Sequence, residues 1–196
     1  MHIYACSSNP GKLAEFALAA RNFDRTRFQI EAFPNLAAIA APEETGASFE
    51  ENAKLKALYY SRYTPEFVLA DDSGLEVAAL NGAPGIRSAR YAGPCATAEE
   101  NNALLLRNLQ DKANWSARFV CVLALAKEDT IVATATGSVE GEIVPPSGKG
   151  GFGYDPLFFF PPFGATFGET NEDRKFEISH RGRALRFLLE QLAGNR

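Results

Sequence analysis

The sequence has few of the residues that bind transition metals or form disulfides. It contains three cysteines, an odd number that are scattered and show no C-x-x-C spacing, and only two histidines. These counts exclude a disulfide framework, a cysteine-rich zinc site and a histidine-rich metal site. A metal ion would therefore bind oxygen ligands, which favours Mg²⁺ or, as a substitute, Mn²⁺.

The sequence also lacks an excess of basic residues. Its 24 acidic and 20 basic side chains give a net charge of -4. A nucleic-acid-binding protein normally carries a basic excess that neutralises phosphates, so we expect no polynucleotide partner. A single nucleotide needs only a few local cations and remains compatible with this charge.

Long apolar runs are absent as well. No segment approaches the ~20 apolar residues that span a bilayer, and the first residues do not resemble a signal peptide. We therefore expect a cytoplasmic protein with no membrane partner. The 196 residues are 46% hydrophobic and 22% charged, with no break in composition. This balance is typical of one globular domain, 1–196, which we expect to have two lobes.

Hydrophobic periodicity and capping signals predict a mixture of helices and strands. Helices are expected at 13–20, from the Ser48 capping box to about Tyr63, from the Thr97 capping box to about Leu109, and at the C-terminal end, where Leu185, Leu188, Leu189 and Leu192 form an apolar face. Strands are expected at 3–6, 67–70 and 157–160, and as an antiparallel pair at 118–126 and 131–139.

The second helix should have two distinct faces. Leu55, Leu58 and Tyr59 are expected to form one stripe, which Arg62 or Tyr63 continues. Asn52 and Lys56 are four residues apart and share a different face.

A polar loop follows the first predicted strand and leads into a helix. It contains Ser7, Ser8 and Asn9, and Lys12 follows in the first helical turn. Asn9 can cap the helix, and Pro10 after it suits the first helical position. This strand–loop–helix arrangement is typical of a site that holds an anion at a helix N-terminus.

Two pairs of acidic residues are candidates for catalysis or metal binding. Glu43 and Glu44 lie in a loop, and Asp71 and Asp72 end a hydrophobic strand, where α/β sheets usually bind ligands. The Asp-Ser-Gly sequence that follows is equally typical of a simple turn. Because strand side chains alternate, we expect only one of Asp71 and Asp72 to face a cleft.

The glycine loop, Gly148–Pro156, contains a G-x-G-x-x-G sequence. A dinucleotide-binding fingerprint follows a strand and opens a helix, whereas prolines and a run of phenylalanines flank this one, so we reject that interpretation. The residues suit a base that stacks on Phe152 with Asp155 nearby. A flexible turn is the alternative.

Cationic residues precede and begin the last helix. Lys175 comes first, followed by Ser179, His180 and Arg181. A cation in the first helical turn opposes the helix dipole at a cost of ~0.3–1 kcal/mol. This placement indicates an anionic or carbonyl partner, although a surface accident would give the same pattern.

Taken together, these segments resemble the inosine triphosphate pyrophosphatases, also called XTP/dITP diphosphatases. The resemblance runs nearly end to end and rests on seven stretches in order: 7–12, 43–46, 48–53, 70–75, 82–91, 150–156 and 179–182.

The resemblance implies an elongated mixed α/β fold with a long twisted central sheet, two lobes flanking a nucleotide cleft, and a homodimer. It implies Asp72 as the catalytic acid and metal ligand, with Glu43 as the second magnesium ligand. Glu44 is adjacent, and the sequence leaves open which of the two glutamates is the main ligand. The substrate contacts that it implies, together with the groups added from the residues themselves, are Ser7, Ser8, Asn9, Lys12, Asn52, Lys56, Ser73, Phe152, Gly153, Tyr154, Asp155, Lys175, His180 and Arg181.

The expected reaction is hydrolysis of ITP, dITP, XTP or dXTP between the α- and β-phosphates. Lys12, Lys56 and Lys175 would offset phosphate charge, while His180 and Arg181 would donate to the C6 carbonyl of the base. Two alternatives remain open: a related pyrophosphatase acting on modified pyrimidine nucleotides, and a nucleotide sensor without turnover.

Overall fold

The computed structural model describes residues 1–22 and 27–194, which form an α/β fold. The helices are α1 (Pro10–Asn22), α2 (Phe49–Ser61), α3 (Ala98–Leu109), α4 (Glu172–Ile178) and α5 (His180–Gly194). The strands are β1 (His2–Cys6), β2 (Gln29–Ala32), β3 (Phe67–Val77), β4 (Ser116–Lys127), β5 (Thr130–Ile143), β6 (Phe158–Phe160) and β7 (Ala165–Thr166).

The strands form one mixed sheet in the order β2-β1-β3-β4-β5-β6-β7. Strand β1 pairs in parallel with β2 and β3, with Ile3 opposite Ile30 and Phe67. Strand β6 is antiparallel to both β5 and β7. The predicted α/β class with a mixed central sheet is therefore confirmed, although the sequence patterns missed β2 and β7.

The predicted hairpin is present as β4 and β5, which are neighbours in the sheet. The two residues between the strands are Glu128 and Asp129, whose φ angles are 49° and 59°. Positive φ at both positions matches the twist of a two-residue hairpin turn.

The helix caps follow the predicted chemistry. Thr97 and Glu100 form the complete capping box of α3. At α2, Ser48 accepts from the backbone N–H of Glu51, but the Glu51 carboxylate accepts from Ala47. The second half of that box is therefore displaced by one residue.

The predicted apolar stripe of α2 is not its most buried face. Leu55, Leu58 and Tyr59 are half-buried, whereas Ala53 and Ala57 are fully buried. The most buried face also includes Phe49 and Tyr60, and Tyr59 packs against the core beside it. Leucine hydrophobicity alone did not identify the most buried face.

Strand β3 is longer than predicted and corrects the expected position of the acids. Asp71, Asp72, Ser73 and Gly74 lie inside the strand rather than in a turn after it. The reason is the buried run that resumes beyond Gly74 and extends the strand to Val77. Burial and sheet pairing override the local turn preference of Asp-Ser-Gly.

The chain divides into two compact units. The first comprises Met1–Asp72, Cys121–Gly137 and Arg181–Arg196, and the second comprises Ser73–Val120 and Ser138–His180. In the first, three leucines of α5 (Leu185, Leu188 and Leu189) are buried as predicted. The core of the second includes Leu75, Val77, Leu105, Leu109, Tyr154, Leu157 and Phe158. Among the helices that the structure describes, none is long and apolar enough to cross a membrane.

Candidate active site

The polar loop after β1 is organised around the start of α1. The Asn9 side chain accepts from the backbone N–H of Lys12 at 3.2 Å, as expected for a helix cap. The Asn9 backbone N–H donates to Ser7 Oγ at 3.1 Å, and Ser8 is exposed. The loop is therefore held at the helix N-terminus, which leaves the Lys12 side chain to contact β3.

Asp71 lies at the centre of a buried cationic network in the first unit. Its Oδ2 is 2.9 Å from Lys12 Nζ and 3.1 Å from Arg181 Nη2. Burial favours the neutral carboxyl, but the charges of Lys12 and Arg181 outweigh it and hold the pKa of Asp71 below its ordinary value. Asp71 is therefore a permanent anion at neutral pH.

Asp72 contacts a separate set of groups. Its Oδ1 lies 3.0 Å from Lys56 Nζ, and its Oδ2 accepts from Asn52 Nδ2 at 3.2 Å. Lys56 Nζ also lies 2.7 Å from Glu44 Oε1. One ammonium thus links Glu44 and Asp72, and the prediction that Asn52 and Lys56 share a helix face is confirmed.

The environment of Asp72 shifts its acidity in the opposite direction to that of Asp71. Burial raises the pKa of Asp72, Lys56 opposes the shift, and the negative charge of Glu44 adds to it. Burial also acts on Lys56, yet the neighbouring carboxylates keep its pKa above the ordinary value. A carboxylate with a raised pKa is a better proton acceptor than an ordinary aspartate.

Asn52 connects the acidic loop to the strand. It is fully buried, and its Oδ1 accepts from the Gly46 backbone N–H at 2.8 Å while its Nδ2 donates to Asp72. A Cβ built on Gly46 would lie 2.6 Å from Asn52 Oδ1, so glycine permits this approach. We therefore interpret Asn52 as a residue that positions the loop beside Asp72.

Glu44, rather than Glu43, is bonded to the lysine that also contacts Asp72. The Glu43 side chain is exposed, whereas Glu44 is bonded to Lys56 next to Asp72. Consecutive residues in an extended loop point in opposite directions, and the sequence could not determine which one faces inward. The expected role of Glu43 as a metal ligand stays a prediction, and Glu44 is the glutamate that shares Lys56 with Asp72.

Arg181 is buried in an ion-pair network at the beginning of α5. The residue is 1% exposed; its Nη1 bonds to Glu15 Oε2, and its Nη2 bonds to Asp71. The two carboxylates offset the cost of a buried cation in the first helical turn. The network anchors α5 to α1 and β3, and these guanidinium donors are bound to carboxylates rather than exposed for a base.

The second unit contains the aromatic and acidic residues of the glycine loop. Asp155 is buried and accepts from Lys175 Nζ at 2.7 Å and from the Phe152 backbone N–H at 2.7 Å. Lys175 Nζ also lies 4.7 Å from the centre of the Phe152 ring. Lys175 is thus bound to the loop, and its expected role in offsetting phosphate charge stays a prediction.

The remaining predicted residues lie in this unit as well. The buried Tyr154 hydroxyl donates to the Ser88 carbonyl, which makes Tyr154 an anchor of the loop. His180 is buried and stacks on Phe119, with ring centres 4.7 Å apart. Gly153 has a φ of 62°, and Ser73 continues β3 after Asp72.

Sequence reasoning missed three participants. Glu15 was not singled out, although its position three residues after Lys12 places both on one face of α1. Ser88 and Asn102 each hydrogen-bond to the region around the glycine loop. No local pattern marks these two residues, because their partners are distant in sequence.

The fold and site define a class of protein. A mixed sheet presents buried carboxylates beside Lys12, in the first turn of α1, and Lys56, in the middle of α2. This arrangement is suited to phosphate groups and a hard divalent cation. The chain belongs to the Ham1 family, whose model matches residues 3–191. The resemblance to the inosine triphosphate pyrophosphatases is therefore confirmed.

Individual relatives cover almost the whole chain. A dITP/XTP pyrophosphatase from Acidobacterium capsulatum is 48% identical over 202 residues, covering 98% of each chain. The solved structure of a HAM1 protein from Coxiella burnetii has a TM-score of 0.87, 40% identity and 98% coverage of each chain. The Staphylococcus aureus Ham1 protein has a TM-score of 0.86 and 38% identity over all of both chains.

Proposed function

We propose that this chain is a nucleoside-triphosphate pyrophosphatase that hydrolyses ITP, dITP, XTP and dXTP to the monophosphate and pyrophosphate. The observation that carries the proposal is the pair of buried carboxylates on β3, Asp71 and Asp72, each bonded to a lysine. The 48% identity to a dITP/XTP pyrophosphatase supports it. The activity removes deaminated purines from the nucleotide pool before they enter DNA or RNA.

The residues of the first unit suit the phosphate end of the substrate. The loop at the start of α1 presents a helix N-terminus, and Lys12 and Lys56 add two cations. Both ammonium groups are bonded to carboxylates, so each would exchange one anionic partner for another when a phosphate binds. Their role is to offset the charge that accumulates on the pyrophosphate leaving group.

The carboxylates fit a magnesium ion. Glu44 and Asp72 share one cation, Lys56, and provide the oxygen donors that Mg²⁺ prefers. Among the described residues, 1–22 and 27–194, there is no cluster of three or more His, Cys, Asp or Glu side chains that could hold a metal ion by itself. Water and substrate phosphate would therefore complete the ligand set, as is usual for Mg²⁺. When bound, the ion would supply Lewis-acid charge stabilisation; Mn²⁺ is the expected substitute.

Asp72 performs the proton chemistry in this proposal. Its ionised carboxylate orients a water molecule for in-line attack and accepts the proton that the water loses, while the water oxygen forms a bond to the α-phosphorus. Burial raises the pKa of Asp72, which improves its strength as a base. The bond between the α- and β-phosphates breaks, and the lysines offset the charge on the departing pyrophosphate.

Base recognition is assigned to the second unit. Phe152 presents a ring for stacking, and Asp155 and Lys175 hold the loop that carries it. His180 is the candidate donor to the C6 carbonyl that distinguishes hypoxanthine and xanthine from adenine. Arg181 fixes the start of α5, where His180 lies, through its bonds to carboxylates.

Product analysis tests the activity. Incubation of dITP with Mg²⁺ should yield dIMP and pyrophosphate in equal amounts, separated by chromatography. Appearance of dIDP and orthophosphate would contradict the assigned cleavage position. Faster hydrolysis of modified pyrimidine triphosphates, or binding of dITP without turnover, would favour one of the two alternatives instead.

Two adjacent glutamates offer a matched test of the metal site. Glu44→Gln removes a carboxylate beside Asp72, so the Mg²⁺ concentration needed for half-maximal activity should rise by roughly tenfold or more. Glu43→Gln should leave this concentration near the wild-type value, because the Glu43 side chain is exposed. A magnesium titration of both variants decides between the two glutamates. A larger effect of Glu43→Gln than of Glu44→Gln would identify Glu43 as the metal ligand.

Two broader expectations accompany the proposal. We propose that the enzyme works as a homodimer in the cytoplasm, as the resemblance and the sequence predicted. The single domain with two lobes also stays a prediction.

A further inference from the structure

Besides the bond from Lys175 to Asp155, several hydrogen bonds that involve side chains hold the glycine loop. The Phe152 backbone N–H donates to Asp155 Oδ2, and the Tyr154 hydroxyl donates to the Ser88 carbonyl. The third bond runs from Asn102 Nδ2 to the Gly153 carbonyl at 3.1 Å. Asn102 thus holds the peptide group immediately after Gly153, between the two aromatic residues of the loop.

This stretch of backbone needs such support. Gly151 and Gly153 both have left-handed φ angles, of 71° and 62°. Glycine loses more conformational freedom on folding than any other residue, so a loop with two such positions has little intrinsic preference for one shape. A Cβ built on Gly153 would meet nothing within 4 Å, so its φ angle rather than lack of space calls for glycine. The hydrogen bond from Asn102 and the one from the Asp155 backbone N–H to the Phe152 carbonyl help to define the conformation of this stretch.

Asn102 is supplied by a rigid element. It lies on α3, whose N-terminus has a complete capping box and whose Leu105 and Leu109 are fully buried in the core of the second unit. Tyr154 and Leu157 belong to the same core. The Asn102 amide is therefore presented to the loop from a fixed position.

The hydrogen bonding of the Asn102 side chain indicates that its amide nitrogen, the donor, is the group that supports the loop. In the part of the chain that the structure describes, its Oδ1 is buried without a hydrogen-bond partner. A buried acceptor left unpaired is destabilising, and an apolar residue at this position would avoid the cost. The bond to Gly153 is the compensating interaction.

We propose that Asn102 is a positioning residue for recognition of the purine base. It fixes the Gly153 peptide group and thereby the orientation of the Phe152 ring. This inference rests on the proposed function, because it assigns a role to Asn102 in binding the base of that substrate. It concerns binding of the base and leaves the phosphate chemistry of Asp72 unchanged.

The test compares Asn102→Ala and Asn102→Asp with a matched control. Asn102→Asp keeps the size and removes the donor, while Asn108→Ala removes an asparagine hydrogen bond to Tyr91 from the same helix. For dITP we expect both Asn102 variants to raise KM by about three- to tenfold with kcat within about twofold. Asn108→Ala should match the wild type.

Product inhibition separates the two ends of the substrate. The inhibition constant of dIMP, which carries the base, should rise with KM in the Asn102 variants. The inhibition constant of pyrophosphate, which has no base, should stay at the wild-type value. Equal weakening of both inhibitors, or an unchanged KM, would overturn the role of Asn102.

Thermal unfolding shows whether each variant is folded at the assay temperature. If Asn102→Ala does not fold, Asn102→Leu replaces it in the comparison. A leucine fills the space without the donor, so it should show the same rise in KM. The failure of the proposed function would appear separately, as a wild-type protein that releases no pyrophosphate from dITP.

Discussion

Adjacent carboxylates on one strand have opposite electrostatic environments. Alternation along β3 directs Asp71 toward Lys12 and Arg181, and Asp72 toward Lys56 and Asn52. Two cations keep Asp71 ionised within the buried ion-pair network, whereas burial raises the pKa of Asp72 and makes it a stronger base. The difference gives the two residues separable roles.

The kinetic prediction at the residue scale concerns these two aspartates. Asp72→Asn should lower kcat by about 10²-fold or more, because the amide keeps the size but can neither accept a proton nor bind a metal as a carboxylate. Asp71→Asn should lower kcat less. Steady-state kinetics with dITP at saturating Mg²⁺ provides the measurement.

A circular dichroism spectrum serves as the control, since both variants should retain the wild-type fold at low temperature. If Asp71→Asn is the inactive variant and Asp72→Asn turns over normally, the assignment of the catalytic base is wrong.

At the scale of elements, the beginning of α5 depends on contacts that are distant in sequence. Arg181 bonds to Glu15 on α1 and to Asp71 on β3. Removing one member of a buried ion-pair network leaves uncompensated charges, which costs more than the loss of an exposed pair. Three elements therefore depend on one side chain.

Arg181→Leu tests this anchoring role. We expect the free energy of unfolding to fall by about 3–5 kcal/mol, because Glu15 and Asp71 lose their buried partner. The control is Arg62→Leu, which breaks the exposed pair with Asp129 (59% and 53% exposed) and should cost about 0–1 kcal/mol. Urea denaturation measures both.

The same variant tests the original hypothesis of a base contact. An anchor should lower kcat/KM for ITP, XTP and ATP by a common factor. If Arg181→Leu is as stable as wild type and loses activity on ITP alone, Arg181 contacts the base and the anchoring role is incorrect.

At the scale of the whole molecule, the two aspartates make opposite contributions to stability. Asp71 has a folded-state pKa below its ordinary value of 3.8, so its stabilising contribution is present above that pH and is lost as the pH falls. Asp72 has a raised pKa, so the folded state favours its neutral form. Its contribution is lost as the pH rises through that raised value.

Replacement of each aspartate by asparagine should change the free energy of unfolding, and the two changes should differ in direction and depend on pH. Without metal at pH 7, Asp71→Asn should lower the free energy of unfolding and Asp72→Asn should raise it or leave it unchanged. Both differences should shrink toward pH 3, because Asp71 takes up a proton in the unfolded state and Asp72 takes one up in the folded state. Urea titrations between pH 7 and pH 3 measure them, and a destabilised Asp72→Asn at pH 7 would contradict the electrostatic account.

Local patterns in the sequence predicted several contacts of the candidate site. Capping signals placed Asn9 and Thr97 at helix starts, where the structure has them. A four-residue spacing placed Asn52 and Lys56 on one face, and both contact Asp72. Such predictions succeed because capping and helix periodicity depend on neighbours only a few residues away.

Other features were decided by contacts between distant segments. The burial of Ala53 and Ala57 instead of the leucines of α2, the extension of β3 through Asp71–Gly74, and the inward side chain of Glu44 each required a partner from elsewhere in the chain. Propensity and hydrophobicity describe a segment alone, and tertiary packing overrides them.

The sequence by itself determined the α/β class and the family, and it predicted a set of chemical groups for the site. Only the tertiary structure decided how those groups are paired. Arg181, the predicted base contact, lies between Glu15 and Asp71, and Lys175, the predicted phosphate contact, bonds to Asp155. The physical reason is that a buried charge must find a counter-charge in three dimensions, and its nearest partner can be far away along the chain.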